Sequence, residues 1–488
     1  MNKEKYLTIR LSELLYLLFW GIMLFAKGIG MYDGQPLYKV FLVLAFLCIG
    51  VKMCITEYSY REWAVILFLL TWSAVVYRVS GEKGVLICMV TAAAMKNVSV
   101  KRCFQTGAVV WAAAMSLRFL TSLVFIGNVE TAVQTKNIFG AVLRYFMGYP
   151  HPNVLHISYL ALAAFAIYCV KDTYCWKHLV LLMWGNIFLF FYSYSFTGAL
   201  IVMVYICLSY YVKKKRISKI EYFLVKLVFP GCILVSVIIP MALHGKAFEL
   251  ADKIFNNRIK LARHFLTLDN MSLLGNNLAA ITTEVITMDN AYLFALVTYG
   301  IPVFLLICVG YMAVVSVYVK QKKNIELAMI CCFLAAGFTE PFLFNTSFKN
   351  LTLLFVGEQV FASLNKQGAG QREFALLKNW DKTVRISMEK PQEISENLHC
   401  VWLARRKVIL GVGTAAALII SICTGIFYQA EPELMVIQKE NLLVYEWVRS
   451  VITVFSLSFI GFIILGMAAY FIILKKGKTD AEKLRQRR

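Results

Sequence analysis

The stretch LSELLYLLFWGIMLFAKGIG, residues 11–30, decides the fold class. Its charges, Glu13 and Lys27, stand near the two ends, and the residues between them are almost all apolar. As a helix rising 1.5 Å per residue it crosses about 30 Å, the thickness of a bilayer's hydrocarbon. A cleaved secretory signal would show a shorter apolar core and an A-x-A-like site. This stretch is long, lacks such a site and is followed at once by another apolar run, which predicts a retained helix.

The same pattern fills the chain. Its 488 residues are 60% hydrophobic, with a mean hydropathy of +0.67, whereas soluble globular domains are about half apolar. Runs long enough to span fall near 11–29, 37–56, 63–79, 84–99, 104–126, 153–170, 178–194, 196–212, 221–243, 290–318, 325–343, 346–364, 407–428 and 448–474. The predicted class is therefore an all-α polytopic integral membrane protein, with about twelve core spans and a two-helix appendage.

Charge orients it. KKKRISK (213–219), KQKKN (320–324), ARRK (404–407) and KKGKTDAEKLRQRR (475–488) are separated by even numbers of spans, so all fall on one side. The positive-inside rule makes that side cytoplasmic and places MNKEK and the C-terminus there too. The formal charge of +22, from 50 Lys and Arg against 28 Asp and Glu, would suggest nucleic acid in a soluble protein. Here it fits cytoplasmic loops facing anionic lipid, with no nucleic-acid partner. The thirteen cysteines show no CxxC or His/Cys ligand spacing. Those in apolar runs, such as Cys48, Cys207, Cys308, Cys331 and Cys332, read as small buried hydrophobes.

Residues 1–364 form the predicted core, 365–406 a polar cytoplasmic linker, and 407–488 the appendage with its basic tail. Two loops on the outer side are long enough to build a site, 127–152 and 244–289. The first ends in GYPHPN (148–153). There Pro152 suits a first helical turn, and Tyr149, His151 and Asn153 either shape the corner or meet a substrate. The second contains FELADKIFNNRIKLARHFL (248–266), where Leu250, Ile254, Leu261 and Phe265 recur at helical spacing. This predicts an amphipathic surface helix with Arg258 on the apolar stripe and Lys260 and Arg263 on the polar side. Arg258 there is either a snorkelling side chain or an anion ligand.

Next, MDNAYLFALVTYGIP (288–302) enters the membrane. Asp289 and Asn290 are helix caps on one reading, and a proton acceptor and sugar ligands, with Tyr292, on the other. FTEPFLFN (338–345) sets Glu340 within a span or just beneath the surface, and WAAAMSLRFLTSLVF (111–125) sets Arg118 at similar depth. Intramembrane charges face a cavity or one another, so Arg118 and Glu340 are either a structural pair or site residues. Arg118, Arg144, His151, Arg258, Asp289 and Glu340 all fall on the outer face, a cationic site for an anionic substrate with a few groups able to move protons.

The order GYPHPN, then SYSFTGAL (193–200), then NNRIKLA, LLGNN and DNAYLFALVTYGIP in the long loop, then FTEPFLFN, resembles the Wzy-type polysaccharide polymerases of the O-antigen ligase/polymerase superfamily, closest to the Gram-positive capsular or exopolysaccharide type. The likeness covers residues 1–364, with specific motifs between about 140 and 350. It implies a metal-independent, cofactor-free glycosyltransferase of the cytoplasmic membrane. Its substrate would be undecaprenyl pyrophosphate-linked oligosaccharide, and a flippase and a chain-length regulator of the same pathway would be its partners. It implies substrate-binding roles for Arg258 and Arg144. The hairpin motif departs from the family's Ser-Arg-Thr-Gly, since Phe196 replaces the arginine, a gap Arg118 would fill. Asp289 is the first choice for the catalytic base, with His151 and Glu340 its rivals. The alternatives are a ligase-like transfer to another acceptor and a lipid-linked oligosaccharide flippase.

Overall fold

The structure, a computed structural model, describes residues 6–136, 140–255, 258–278, 288–367, 373–428 and 440–486. Parts of the sequence expectations lie outside the described residues. They are MNKEK, residues 137–139 of the first long loop, 256–257 and 279–287 of the second, 368–372 of the linker, 429–439 of the acidic loop between the last two spans, and the final 487–488. The described chain is mostly helical, and ten of its helices are long and apolar enough to cross a membrane. Such helices satisfy every backbone N–H and C=O internally, which hydrocarbon demands.

In chain order the helices are α1 (Leu11–Gly28), α2 (Pro36–Ile55), α3 (Tyr60–Ser80), α4 (Gly84–Ala93), α5 (Val100–Val124), α6 (Pro152–Cys169), α7 (Trp176–Ser193) and α8 (Phe196–Lys214). There follow α9 (Lys219–Ala242), α10 (Gly245–Ile254), α11 (Arg258–Phe265), α12 (Ala291–Tyr299), α13 (Ile301–Gln321), α14 (Asn324–Gly337), α15 (Leu353–Gln367), α16 (Glu389–Ile426) and α17 (Glu440–Gln486). The structure corrects the predicted spans at four places. The run 84–99 is helical only to Ala93. The run 290–318 breaks at Gly300, whose φ of +83° no helix tolerates. The loop before α12 uses the break: Ile301 N–H donates to the Ser272 carbonyl and Asn276 N–H to the Val297 carbonyl, both at 3.0 Å. The run 325–343 stops at Gly337, and the run 346–364 becomes helical only at Leu353. The all-α expectation also lacked three two-stranded ribbons, pairing β1 (Tyr6–Arg10) with β6 (Thr383–Ser387), β2 (Tyr58–Ser59) with β5 (Glu373–Phe374), and β3 (Thr131–Lys136) with β4 (Gly140–Tyr145).

The chain divides into two compact units. The larger comprises residues 10–130 and 146–382. Within it α1 packs on α2 and α5, α6 on α5, α7 and α8, and α14 on α8 and α9. Helices α6 and α14 are buried along most of their length. Cys308, Cys331 and Cys332 are buried as expected, but Cys207 is exposed on its helix. Residues 373–382, predicted as part of a polar linker, are strapped to this unit. Leu377 N–H donates to the Cys54 carbonyl (2.9 Å), Lys378 pairs with Glu57 (2.8 Å), and the Asp381 carboxylate accepts from Ser12 N–H and hydroxyl at 2.9 and 3.1 Å.

The smaller unit comprises residues 1–9, 131–145 and 383–488. Here α16 and α17 pack on each other, and the β3–β4 hairpin packs on α17. The buried Glu446 carboxylate fastens it: it accepts from the Tyr145 hydroxyl at 2.8 Å and from Arg449 Nε at 3.0 Å.

Candidate functional site

Two proline corners build the site. At the first, Pro152 starts α6 and His151, in extended conformation, caps it: His151 Nδ1 accepts the Asn153 N–H at 3.1 Å. At the second, Pro341 disfavours helix for the residue before it. Glu340 is accordingly extended (φ −145°, ψ 137°), just past the end of α14, so its carboxylate leaves the helix surface. The corners meet where the Asn153 side-chain amide donates to Glu340 Oε1 at 2.8 Å. Glu340 is 8% exposed.

Arg258, first residue of α11, ties in a third segment. Its Nη1 donates to the Thr339 carbonyl at 3.0 Å and to the Asp289 carbonyl at 3.4 Å. Its remaining guanidinium N–H groups have no acceptor among the described residues. Lys349, in the turn before α15, is buried and donates to the Val154 carbonyl at 3.1 Å.

These groups perturb one another. Burial, and secondarily the Asp289 charge, pushes the Glu340 carboxyl up to about 7, although Arg258, the Asn153 amide and Lys349 all pull it down. Burial, then the Lys27 charge, brings the Lys349 ammonium down to about 7 against the attraction of Glu340. A carboxylate poised near neutrality beside a half-used guanidinium can accept a proton while the guanidinium steadies a developing anion.

The structure thus brings together Asn153, Arg258, Asp289 and Glu340 from the sequence reading, with His151 capping the helix beside them. The three candidate bases differ in their surroundings. Asp289 is half-buried, and Nδ1 of His151 accepts the capping N–H of Asn153. Glu340 is the enclosed, perturbed carboxylate.

Other candidates hold the fold. Arg118 does not pair with Glu340. Its Nε and Nη2 donate to the Gly148 carbonyl at 3.1 and 3.0 Å, and at Gly148 (φ +75°) any side chain would strike that guanidinium. Tyr149 is buried and its hydroxyl donates to the Gly28 carbonyl at 2.7 Å. Arg263, expected on a polar face, donates to the carbonyls of Pro240 and Leu243 and lies 3.7 Å over the Phe248 ring. Asn290 caps α12 by accepting the N–H groups of Tyr292 and Leu293, and its amide reaches Ser236 at 2.9 Å, in a π-turn of α9. The Tyr292 hydroxyl is buried on the Leu334 carbonyl at 2.6 Å. The single amphipathic helix of the second loop is two helices. Leu250 and Ile254 are exposed, whereas Ile259, Ala262 and Phe265 form the buried side of α11. Arg144 belongs to the smaller unit, where it is buried in the hairpin and donates to Gln134 Oε1 at 2.8 Å. Phe196, where the resemblance implied an arginine, packs on Phe190 with ring centres 5.1 Å apart.

The sequence reading missed Lys349 and Lys27, each at the edge of an apolar run where a lysine passes for an interfacial anchor. It also missed His156, fully buried in α6 between Ser193 Oγ (2.9 Å) and Asn186 Oδ1 (2.8 Å), which pins the α7–α8 turn. For His156 the available signal was a polar residue inside an apolar stretch. No family model, no curated protein and no solved structure matches the chain.

Proposed function

We propose that the chain is a Wzy-type polysaccharide polymerase of the cytoplasmic membrane, with both termini cytoplasmic and the Glu340 end of the larger unit facing outward. The observation that carries this reading is the buried Glu340 carboxylate, held by Asn153 and flanked by Arg258 and Asp289. A transferase that uses a lipid-linked glycan begins with a good leaving group and needs two things of the protein, a base for the acceptor hydroxyl and cations for the departing diphosphate. Glu340 supplies the first and the spare N–H groups of Arg258 the second.

In the step proposed, the acceptor sugar's hydroxyl oxygen attacks the anomeric carbon of the donor glycan. The glycosidic C–O bond to the diphosphate breaks, the electron pair leaves with undecaprenyl pyrophosphate, and the hydroxyl proton passes to Glu340. Direct attack inverts the anomeric centre. Asn153 holds the carboxylate in place, and the caps at His151 and Asn290 hold the helices that carry its neighbours.

Deleting the gene and examining lipid-linked glycan tests this. A polymerase leaves single repeat units on the outer leaflet. Units trapped inside would indicate a flippase, and long unattached chains a ligase. Arg258→Ala at normal protein level is expected to reproduce the single-unit phenotype, and unchanged polymer length would remove its assigned role. A product that retains the donor's configuration would overturn the direct-attack step.

A further inference from the structure

Buried hydrogen-bond donors lack acceptors where α1 turns into α2. Lys27, in the last turn of α1, is 6% exposed. Its ammonium lies 3.9 Å from the centre of the Tyr38 ring and has no hydrogen-bond acceptor among the described residues. The Tyr38 hydroxyl is buried and likewise lacks a partner among the described residues. Lys349, 3% exposed, spends one N–H on the Val154 carbonyl. Tyr149 joins these groups: its ring is 5.7 Å from the Lys349 ammonium, and its hydroxyl bonds the carbonyl of Gly28, the neighbour of Lys27. The acids whose charge reaches the two lysines are engaged elsewhere, Asp33 by Lys83 at 2.8 Å and Glu340 by Asn153 at 2.8 Å.

A buried ammonium without an acceptor is costly, and the cost is offset when an anion meets it. We infer that Lys27, Lys349 and the Tyr38 hydroxyl form a seat for the phosphate of a lipid, separate from Arg258. Ammonium and hydroxyl donors suit a phosphate, whose oxygens accept from several directions. Beside this corner a cavity of about 980 Å³ opens between the α1–α2 turn, the end of α5 and the 146–150 turn, with Phe25, Ile29, Leu37, Leu117 and Phe125 on its apolar side. That cavity would take the hydrocarbon chain. The seat rests on the polymerase reading in one respect: joining two lipid-linked glycans leaves two diphosphates to be held, and Arg258 serves one of them.

Titrating the purified full-length protein in detergent with inorganic pyrophosphate tests the seat directly. Lys27→Met and Lys349→Met are each expected to weaken binding by about tenfold, the loss of roughly one charge-assisted contact. The melting temperature should hold or rise, because each change removes a buried charge. Unchanged affinity in either folded variant overturns the seat, as does a lowered melting temperature with affinity intact. Should Lys27→Met not fold, Tyr38→Phe reads the same seat, with a loss of about threefold expected for a neutral donor and no loss overturning it. Displacement of pyrophosphate by undecaprenyl diphosphate in phosphatidylcholine nanodiscs, but not by phosphatidylglycerol, names the carrier lipid. Displacement by phosphatidylglycerol alone names a bulk phospholipid, and displacement by neither overturns the lipid assignment. If binding depends on these residues yet cells deleted for the gene still make polymer of normal length, the seat stands and the polymerase reading falls.

Discussion

At the start of α3, the Lys96 ammonium meets Glu62 at 2.5 Å and Glu373 at 2.8 Å, while Lys52 donates to the Tyr58 hydroxyl at 2.9 Å and the Lys96 carbonyl at 3.1 Å. Near the end of α1, the equally buried Lys27 meets only the face of Tyr38, and Lys349 meets one carbonyl. Both regions bury lysines and carboxylates, but in the first each ammonium has found acceptors. Ser59 and Glu62 complete a capping box there, and β5 is stitched onto β2. Such a network fixes the packing of α2, α3 and the 373–382 strap. In the second region, charges are held close without being neutralised, and that leaves proton affinity and hydrogen-bonding capacity for a ligand. Burial of charge alone therefore does not mark a site; burial with unused valence does.

The largest effect that would break this comparison is on turnover. Glu340→Gln keeps the hydrogen-bonded shape but cannot accept a proton. It is expected to cut polymer formation by about 10²–10⁴-fold with a near-unchanged melting curve. Polymer of normal length in this variant would remove Glu340 as base. Next, Lys96→Met strands the buried Glu62 carboxylate. It should destabilise the protein by about 3–5 kcal/mol, read as a fall in melting temperature and in membrane level. A fully stable Lys96→Met would make the two regions alike.

A smaller and sharper contrast concerns the arginines. Arg258→Ala should lower activity by roughly ten- to a hundredfold through lost anion contacts, at normal protein level. Arg263→Ala, whose guanidinium serves backbone carbonyls, should instead lower the melting temperature and leave the activity of each folded molecule unchanged. Reversed outcomes would exchange their roles.

The finest test is pH. Because burial, helped by Asp289, holds the Glu340 carboxyl at about 7, it is protonated and useless as a base well below that value. Activity should rise as pH increases through about 7. Stability runs the other way. The folded state favours the protonated form, so this group's contribution is complete below the ordinary carboxylate range of about 4.3 and is lost as pH rises through 7. A rate flat between pH 6 and 8 would contradict the assignment.

Much was legible in the sequence. Apolar runs located the helices because hydrocarbon selects for apolar length alone. GYPHPN and FTEPFLFN marked both corners of the site because proline restricts its own and the preceding backbone locally. The sequence also put Asn153, Arg258, Asp289 and Glu340 among the candidates. It placed the breaks less well: Gly300 interrupts a helix because a distant loop, 272–276, takes over its hydrogen bonds, and no local pattern carries that. Arg118, Tyr149 and Arg263 looked available for substrate for the same reason. Their acceptors are backbone carbonyls, which every residue has and no motif advertises.

What the sequence determined by itself is the membrane class, the approximate helices and the residue types at the two proline corners, since each follows from local composition and backbone restriction. Only the tertiary structure decided that Asn153 holds Glu340, that Arg258 reaches across to Thr339, and that Lys27 is buried over the Tyr38 ring while Lys349 meets a single carbonyl. Those facts depend on which buried groups find partners across the bundle, and a donor's satisfaction is a property of its neighbours in space.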